Sequence, residues 1–173
     1  MGETMIKRFL KLLVDATQKI QSRYFQLPIA GQDEAIYRER VYCYELYHQL
    51  RNLLEADKQL AGYTLNGEID KRAHPIINLS CIPDFLIHIP GKMDNLIIIE
   101  VKQVNANPEE IKKDYKKLSD FVSKIDYKLG VQLVFGNDEQ GFSKFKKIYS
   151  DTPHPALLLF WHQQPDEPAK KIL

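Results

Sequence analysis

The sequence predicts an α/β fold, and three observations carry that prediction. Apolar residues recur at helical spacing up to Ala56, short β-type runs separated by turns begin at Tyr63, and a further helix divides the later runs. The predicted order is α-α-β-β-β-α-β-α-β.

Ile6, Leu10, Leu13, Ala16 and Ile20 share one helical face, which predicts an amphipathic helix over 4–24. A loop with Pro28 and Gly31 leads to a long helix over 34–56, where Tyr42, Cys43, Leu46, Tyr47, Leu50, Leu53 and Leu54 cover one continuous arc. Gly62 closes the helical region. Strands are predicted over 63–71, 83–89 and 96–104, with a hairpin loop at Pro90-Gly91-Lys92-Met93-Asp94-Asn95 between the last two. The run Leu96-Ile97-Ile98-Ile99 implies burial on both faces of a sheet. Pro108, Glu109 and Glu110 suit the first turn of a helix whose apolar stripe is Ile111, Tyr115, Leu118, Val122 and Ile125. A buried strand over 129–135, a short basic helix over 141–149 and a last strand over 156–161 follow, and the tail after Pro165 is expected to be loose.

The chain has 173 residues, 24 Lys plus Arg against 23 Asp plus Glu, and 44% hydrophobic residues, the composition of one globular domain. A formal net charge of +1 excludes a uniformly basic nucleic-acid coat. A polyanion binder must then work by local segregation of charge. Cys43 and Cys81 have no zinc-site spacing and read as reduced thiols. No apolar run reaches membrane-spanning length, and Lys7, Arg8 and Lys11 interrupt any signal-peptide pattern, so a cytoplasmic location is expected.

Chemistry concentrates where charge meets the most apolar strand. An ion there loses its hydration, yet Glu100 and Lys102 both close the Leu96–Ile99 run and, being two apart, share a face. The preceding hairpin arm opens with Pro83-Asp84, which sets a second carboxylate nearby. Two carboxylates beside a lysine suit a divalent cation with oxygen preference, magnesium or manganese. An ion pair at a strand end is the plain structural alternative.

In Pro83-Asp84, Glu100-Val101-Lys102 and the α-β-β-β-α-β order from Glu34 to Phe135, the chain resembles the PD-(D/E)XK nuclease superfamily, the restriction-endonuclease-like fold. The resemblance covers about two thirds of the sequence. It implies an αβββαβ core over 34–136 with a central mixed sheet flanked by helices, an added N-terminal helix and loop over 1–30, and a C-terminal αβ extension. By the same resemblance, Asp84 and Glu100 would bind Mg²⁺ (Mn²⁺ substituting), the Val101 carbonyl would complete the shell, and Lys102 would orient or deprotonate the attacking water. Such nucleases often add a glutamate from the helix before the sheet, and Glu45 is the candidate. Glu68, on or near the first strand, is a second candidate for the same cation.

The helix after Lys102 normally flanks the substrate channel, so Lys112, Lys113, Lys116 and Lys117 are candidate phosphate contacts. A solvated helix face would look the same. Histidines 48, 74, 88, 154 and 162 show no ligand spacing, and His88 reads as a core or supporting residue. The aromatic residues sit mostly at core spacings and do not form a paired base-stacking surface. The expected function is Mg²⁺-dependent hydrolysis of DNA, structure-selective or non-specific, in defence, repair or mobile-element biology. The alternative is a non-catalytic nucleic-acid- or protein-binding module, with an antitoxin-like or scaffold protein as a third reading. Cleavage of both strands would favour a homodimer, for which the N-terminal helix offers a surface, or a recruiting protein.

Overall fold

The computed structural model describes residues 2–68 and 82–173. Leu96, Ile97, Ile98 and Ile99 are all buried at the centre of a six-stranded sheet, as an unbroken apolar run requires. The strands lie in chain order: β1 (Thr64–Gly67), β2 (Phe85–Ile89), β3 (Asp94–Gln103), β4 (Leu129–Phe135), β5 (Leu157–His162) and β6 (Lys170–Lys171). The β1–β2, β2–β3 and β5–β6 pairs are antiparallel, while β3–β4 and β4–β5 are parallel, which makes the sheet mixed. Each parallel pair needs a crossover, supplied by α4 (Pro108–Ile125) and α5 (Glu139–Asp151).

Helices cover both faces. On one side α1 (Gly2–Thr17), α2 (Ser22–Phe25) and α3 (Glu39–Ala56) pack Phe9, Leu13, Tyr42, Leu46 and Leu50 against Ile97, Ile99, Val101, Val131 and Leu133. On the other, α4 and α5 pack Ile111, Leu118, Phe121, Phe142 and Phe145 against Leu86, Ile98, Val134 and Leu159. Asn107 caps α4: its side chain accepts from the Glu110 N–H at 3.0 Å while Glu110 returns a bond to the Asn107 N–H, and Pro108 follows at the first helical position. Gly141 lets α5 approach the end of β3 closely; a Cβ there would meet the Val104 carbonyl at 2.5 Å.

Several expected boundaries move. The helix predicted over 4–24 breaks after Thr17, and α2 resumes at Ser22. Both Ile20 and Phe25 are buried, yet five positions along a straight helix point about 140° apart, so only a turn sends both inward. The helix predicted from 34 starts at Glu39, because Ile36 is drawn into an antiparallel bridge with Leu27. Of the first predicted strand only Thr64–Gly67 is a strand among the described residues; positions 69–71, like Cys81 and His74, lie outside them. The tail is not loose. Ala169 is buried with its N–H donated to Thr17 Oγ1 at 2.9 Å, and β6 pairs with β5.

The N-terminal helix spends its apolar face inside its own chain, with Phe9, Leu13 and Ala16 fully buried, so that stripe is not a free dimer surface. Among the described residues no helix is long and apolar enough to cross a membrane.

Candidate active site

The site begins where β2 stops. The antiparallel register between β2 and β3 runs out at Phe85 opposite Ile99, which leaves the backbone of β3 beyond that point without a strand partner on this edge. Asp84 takes over: its Oδ2 accepts the Val101 N–H at 2.7 Å. A strand residue turns its N–H and C=O to the same neighbour, so the Val101 carbonyl faces the same edge as Asp84. Glu100 and Lys102 project to the opposite face from Val101, toward α4.

Helix α4 answers with Asp114 and Lys117, one turn apart. The Lys117 ammonium donates to Glu100 Oε2 at 2.7 Å and lies 3.8 Å from Asp114 Oδ1. It also reaches the Ile82 carbonyl at 3.4 Å, on the segment that leads into Asp84. Lys102 lies 3.3 Å from Asp114 Oδ2, near enough for an ion pair but off the direction of a hydrogen bond, and 3.2 Å from Glu39 Oε2 at the start of α3. Three carboxylates, Glu100, Asp114 and Glu39, thus pair with the two ammonium groups, and Asp84 stands close by as a fourth acid. Glu100 is 2% exposed, and its Oε1 has no hydrogen-bond donor among the described residues. Gln132, opposite Glu100 in β4, donates to the Glu100 carbonyl at 3.2 Å and leaves its own Oε1 unpaired.

This surplus of buried negative charge shifts the ionisation equilibria. Burial raises the Asp84 carboxyl to about 6, with the Val101 N–H working against the shift and the Glu39 charge adding to it. Burial and then the Asp84 charge push Glu100 well above the usual carboxylate range, although Lys117 opposes them. For Lys102, burial disfavours the charged form, but Asp114 and Glu39 outweigh it and hold the pKa above the ordinary lysine value. Lys117 behaves alike, with Glu100 as its main stabilising neighbour.

Asp84, Glu100, Val101 and Lys102 therefore come together as their sequence positions suggested. Glu45 does not join them; it accepts a hydrogen bond from Gln49 at 2.7 Å on another side of α3. Glu39 and Glu45 lie about 60° to either side of the buried Tyr42 direction, and the site is on the side of Glu39 and Cys43, whose thiol is raised first by burial and then by Asp84 and Glu39. Glu68 stays out of the ion-pair cluster. Its N–H donates to the Asp84 carbonyl at 3.2 Å, and its carboxylate lies 3.9 Å from Arg40.

The lysine cluster also divides. Lys112 pairs with Glu109 at 3.0 Å, Lys116 with Asp120 at 2.6 Å, and Lys113 is exposed, whereas Lys117 turns inward with its side chain 12% exposed. Four adjacent lysines on a helix span more than one face, so they do not make one phosphate-facing patch. Asp114, Glu39 and the inward role of Lys117 escaped sequence reasoning. The available signal was Asp114 itself, an acid at core spacing between Ile111 and Leu118. His88 hydrogen-bonds Asn66 across β1 and β2 at 2.7 Å. Among the described residues the buried histidine is His162, beside Tyr42 Oη at 2.8 Å and lowered to about 4 by burial.

A cleft of about 310 Å³ opens beside Asp84, lined also by Cys43, Tyr44, Tyr47, Gly67, Glu68 and Phe85. Among the described residues no group of three or more His, Cys, Asp or Glu side chains has the geometry of a metal site; the carboxylates are held by the two lysines instead. The donor chemistry nonetheless fits a hard cation, since Asp84 and Glu100 offer carboxylate oxygens and Glu100 Oε1 is buried without a donor. Comparison with known proteins finds no family model, no curated protein and no solved structure that matches this chain.

Proposed function

We propose that the chain is a Mg²⁺-dependent nuclease of the PD-(D/E)XK type that hydrolyses DNA phosphodiesters. The observation that carries this reading is the convergence of Asp84 and Glu100 with Lys102 at one end of β3, where Glu100 keeps a buried oxygen without a donor among the described residues. Buried carboxylates with raised pKa values are costly to fold, and function is the usual reason for carrying them. Asp84, Glu100 and the Val101 carbonyl would hold the ion. When bound, it neutralises charge on the phosphoryl oxygens and lowers the pKa of the attacking water.

The protein's own groups do the rest. Lys102, held by Asp114 and Glu39, is a fixed cation that stabilises charge developing on the phosphate and orients the water. Its raised pKa makes it a poor general base, which favours the orienting role. Asp114 and Glu39 act through Lys102 and set its position. Lys117 neutralises Glu100 until the ion arrives.

That neutralisation favours the second reading, a non-catalytic binding module, because Lys117 already occupies one oxygen of Glu100. A metal-titrated assay on single-stranded, duplex and branched DNA separates the two. Cleavage that requires Mg²⁺ or Mn²⁺ and is lost in Asp84→Ala, Glu100→Ala and Lys102→Ala supports the nuclease; no cleavage, or cleavage indifferent to all three changes, removes it.

A further inference from the structure

We propose that the cleft beside Asp84 is a subsite for one unpaired nucleobase adjacent to the scissile phosphate, which makes single-stranded DNA the preferred substrate. The inference rests on the nuclease reading for its orientation, because Asp84 forms both the cleft wall and one side of the ion-pair cluster.

Three of the described residues that line the cleft are aromatic. Tyr44 is 63% exposed at its mouth, while Tyr47 and Phe85 meet deeper in, with ring centroids 6.1 Å apart and planes tilted by 31°. An exposed tyrosine at the mouth of an aromatic-lined cleft is what a flat base stacks on, whatever its identity. Gly67 lies against both rings: a Cβ there would be in ordinary contact with Tyr47 Cδ2 at 3.6 Å and Phe85 Cδ1 at 3.7 Å. At about 310 Å³ the cleft is large enough to admit a nucleobase.

Charge is placed to match. Arg40 is one helical turn before Tyr44, its side chain is 73% exposed, and its carboxylate neighbour, Glu68, is 3.9 Å away. A guanidinium so placed can turn to the phosphate that follows the stacked base. Arg51, which reaches Tyr47 Oη at 3.3 Å, continues the same side of α3. Tyr47 packs on the core as its spacing suggested, while Tyr44 is 63% exposed. A duplex cannot use such a pocket without unpairing and unstacking the base, which opposes its binding.

The test measures binding and cleavage on the same oligonucleotides. A single-stranded DNA of mixed sequence, containing one 2-aminopurine, and its duplex are titrated with the full chain in Ca²⁺, and cleavage is followed in Mg²⁺. Expected are at least tenfold tighter binding of the single strand, quenching of 2-aminopurine, a loss on the order of tenfold in Tyr44→Ala, and recovery in Tyr44→Phe. Quenched binding that depends on Tyr44, without cleavage by the wild type, supports the subsite and removes the nuclease reading. Metal-dependent cleavage with single strand and duplex bound equally, or with Tyr44→Ala unchanged, overturns the subsite and leaves the nuclease. A wild-type chain that neither binds nor cleaves either DNA overturns both.

Discussion

Lys117 Nζ lies 2.7 Å from Glu100 Oε2, an ammonium from α4 set against the most deeply buried carboxylate of the sheet. The pair is tight but incomplete, since Glu100 Oε1 has no donor among the described residues. One oxygen is neutralised by the protein, and the other is the one the nuclease proposal assigns to the cation.

Removing Lys117 should expose this arrangement. Lys117→Met strands the Glu100 charge and is expected to cost about 3–5 kcal/mol, the usual penalty for breaking a buried pair from one side. Mn²⁺ should restore much of that loss, so the metal-induced rise in Tm should be larger in Lys117→Met than in the wild type. Differential scanning fluorimetry with and without Mn²⁺ reads both effects.

Asp84 should trade stability for function. Its folded pKa, raised by burial to about 6, lies above the ordinary aspartate value, so the folded chain holds more protons than the unfolded chain between those two pH values. Stability therefore falls as pH rises through this window, and the full cost of the ionised carboxylate is present above about 6. Asp84→Asn keeps an acceptor for the Val101 N–H and should be more stable than the wild type by about 1–3 kcal/mol at pH 8. Urea denaturation should show the difference shrinking toward zero near pH 4.

The division between what sequence and structure reveal falls at this same cluster. Asp84, Glu100 and Lys102 were legible because strand alternation and a charge after four apolar residues are local signals. The mixed sheet flanked by helices was expected from the resemblance, and β4 was placed to the residue from its apolar run. Glu39 was hidden because Glu39 and Glu45 lie symmetrically about the buried Tyr42, and only the tertiary placement of Lys102 distinguishes them. Lys117 was disguised by its three solvent-facing neighbours. The pinned tail depends on Thr17, more than 150 positions away, which no local pattern encodes.

Lys102 should behave as a permanent cation. Because Asp114 and Glu39 hold its pKa above the usual lysine value, the pH profile of cleavage should have no falling limb from Lys102 up to about pH 9.5. Lys102→Ala should lower kcat by about 10²–10³-fold with a smaller effect on KM. Steady-state kinetics from pH 6 to 9.5 checks both.

Gly141 tests the packing that places β3 against α5, apart from the chemistry. A Cβ at this position would meet the Val104 carbonyl at 2.5 Å, a backbone atom that cannot rotate away. Gly141→Ala should cost about 1–3 kcal/mol in chemical denaturation. Metal affinity measured well below the lowered Tm should be unchanged.

Whether Asp84 and Glu100 together hold one divalent cation is decided by calorimetric titration of Mn²⁺ at pH 7.5. Expected are one saturable site in the wild type and affinity at least tenfold weaker in both Asp84→Asn and Glu100→Gln, with circular dichroism confirming that each variant is folded. Equal affinity in all three proteins, or no binding by the wild type, would contradict a shared site.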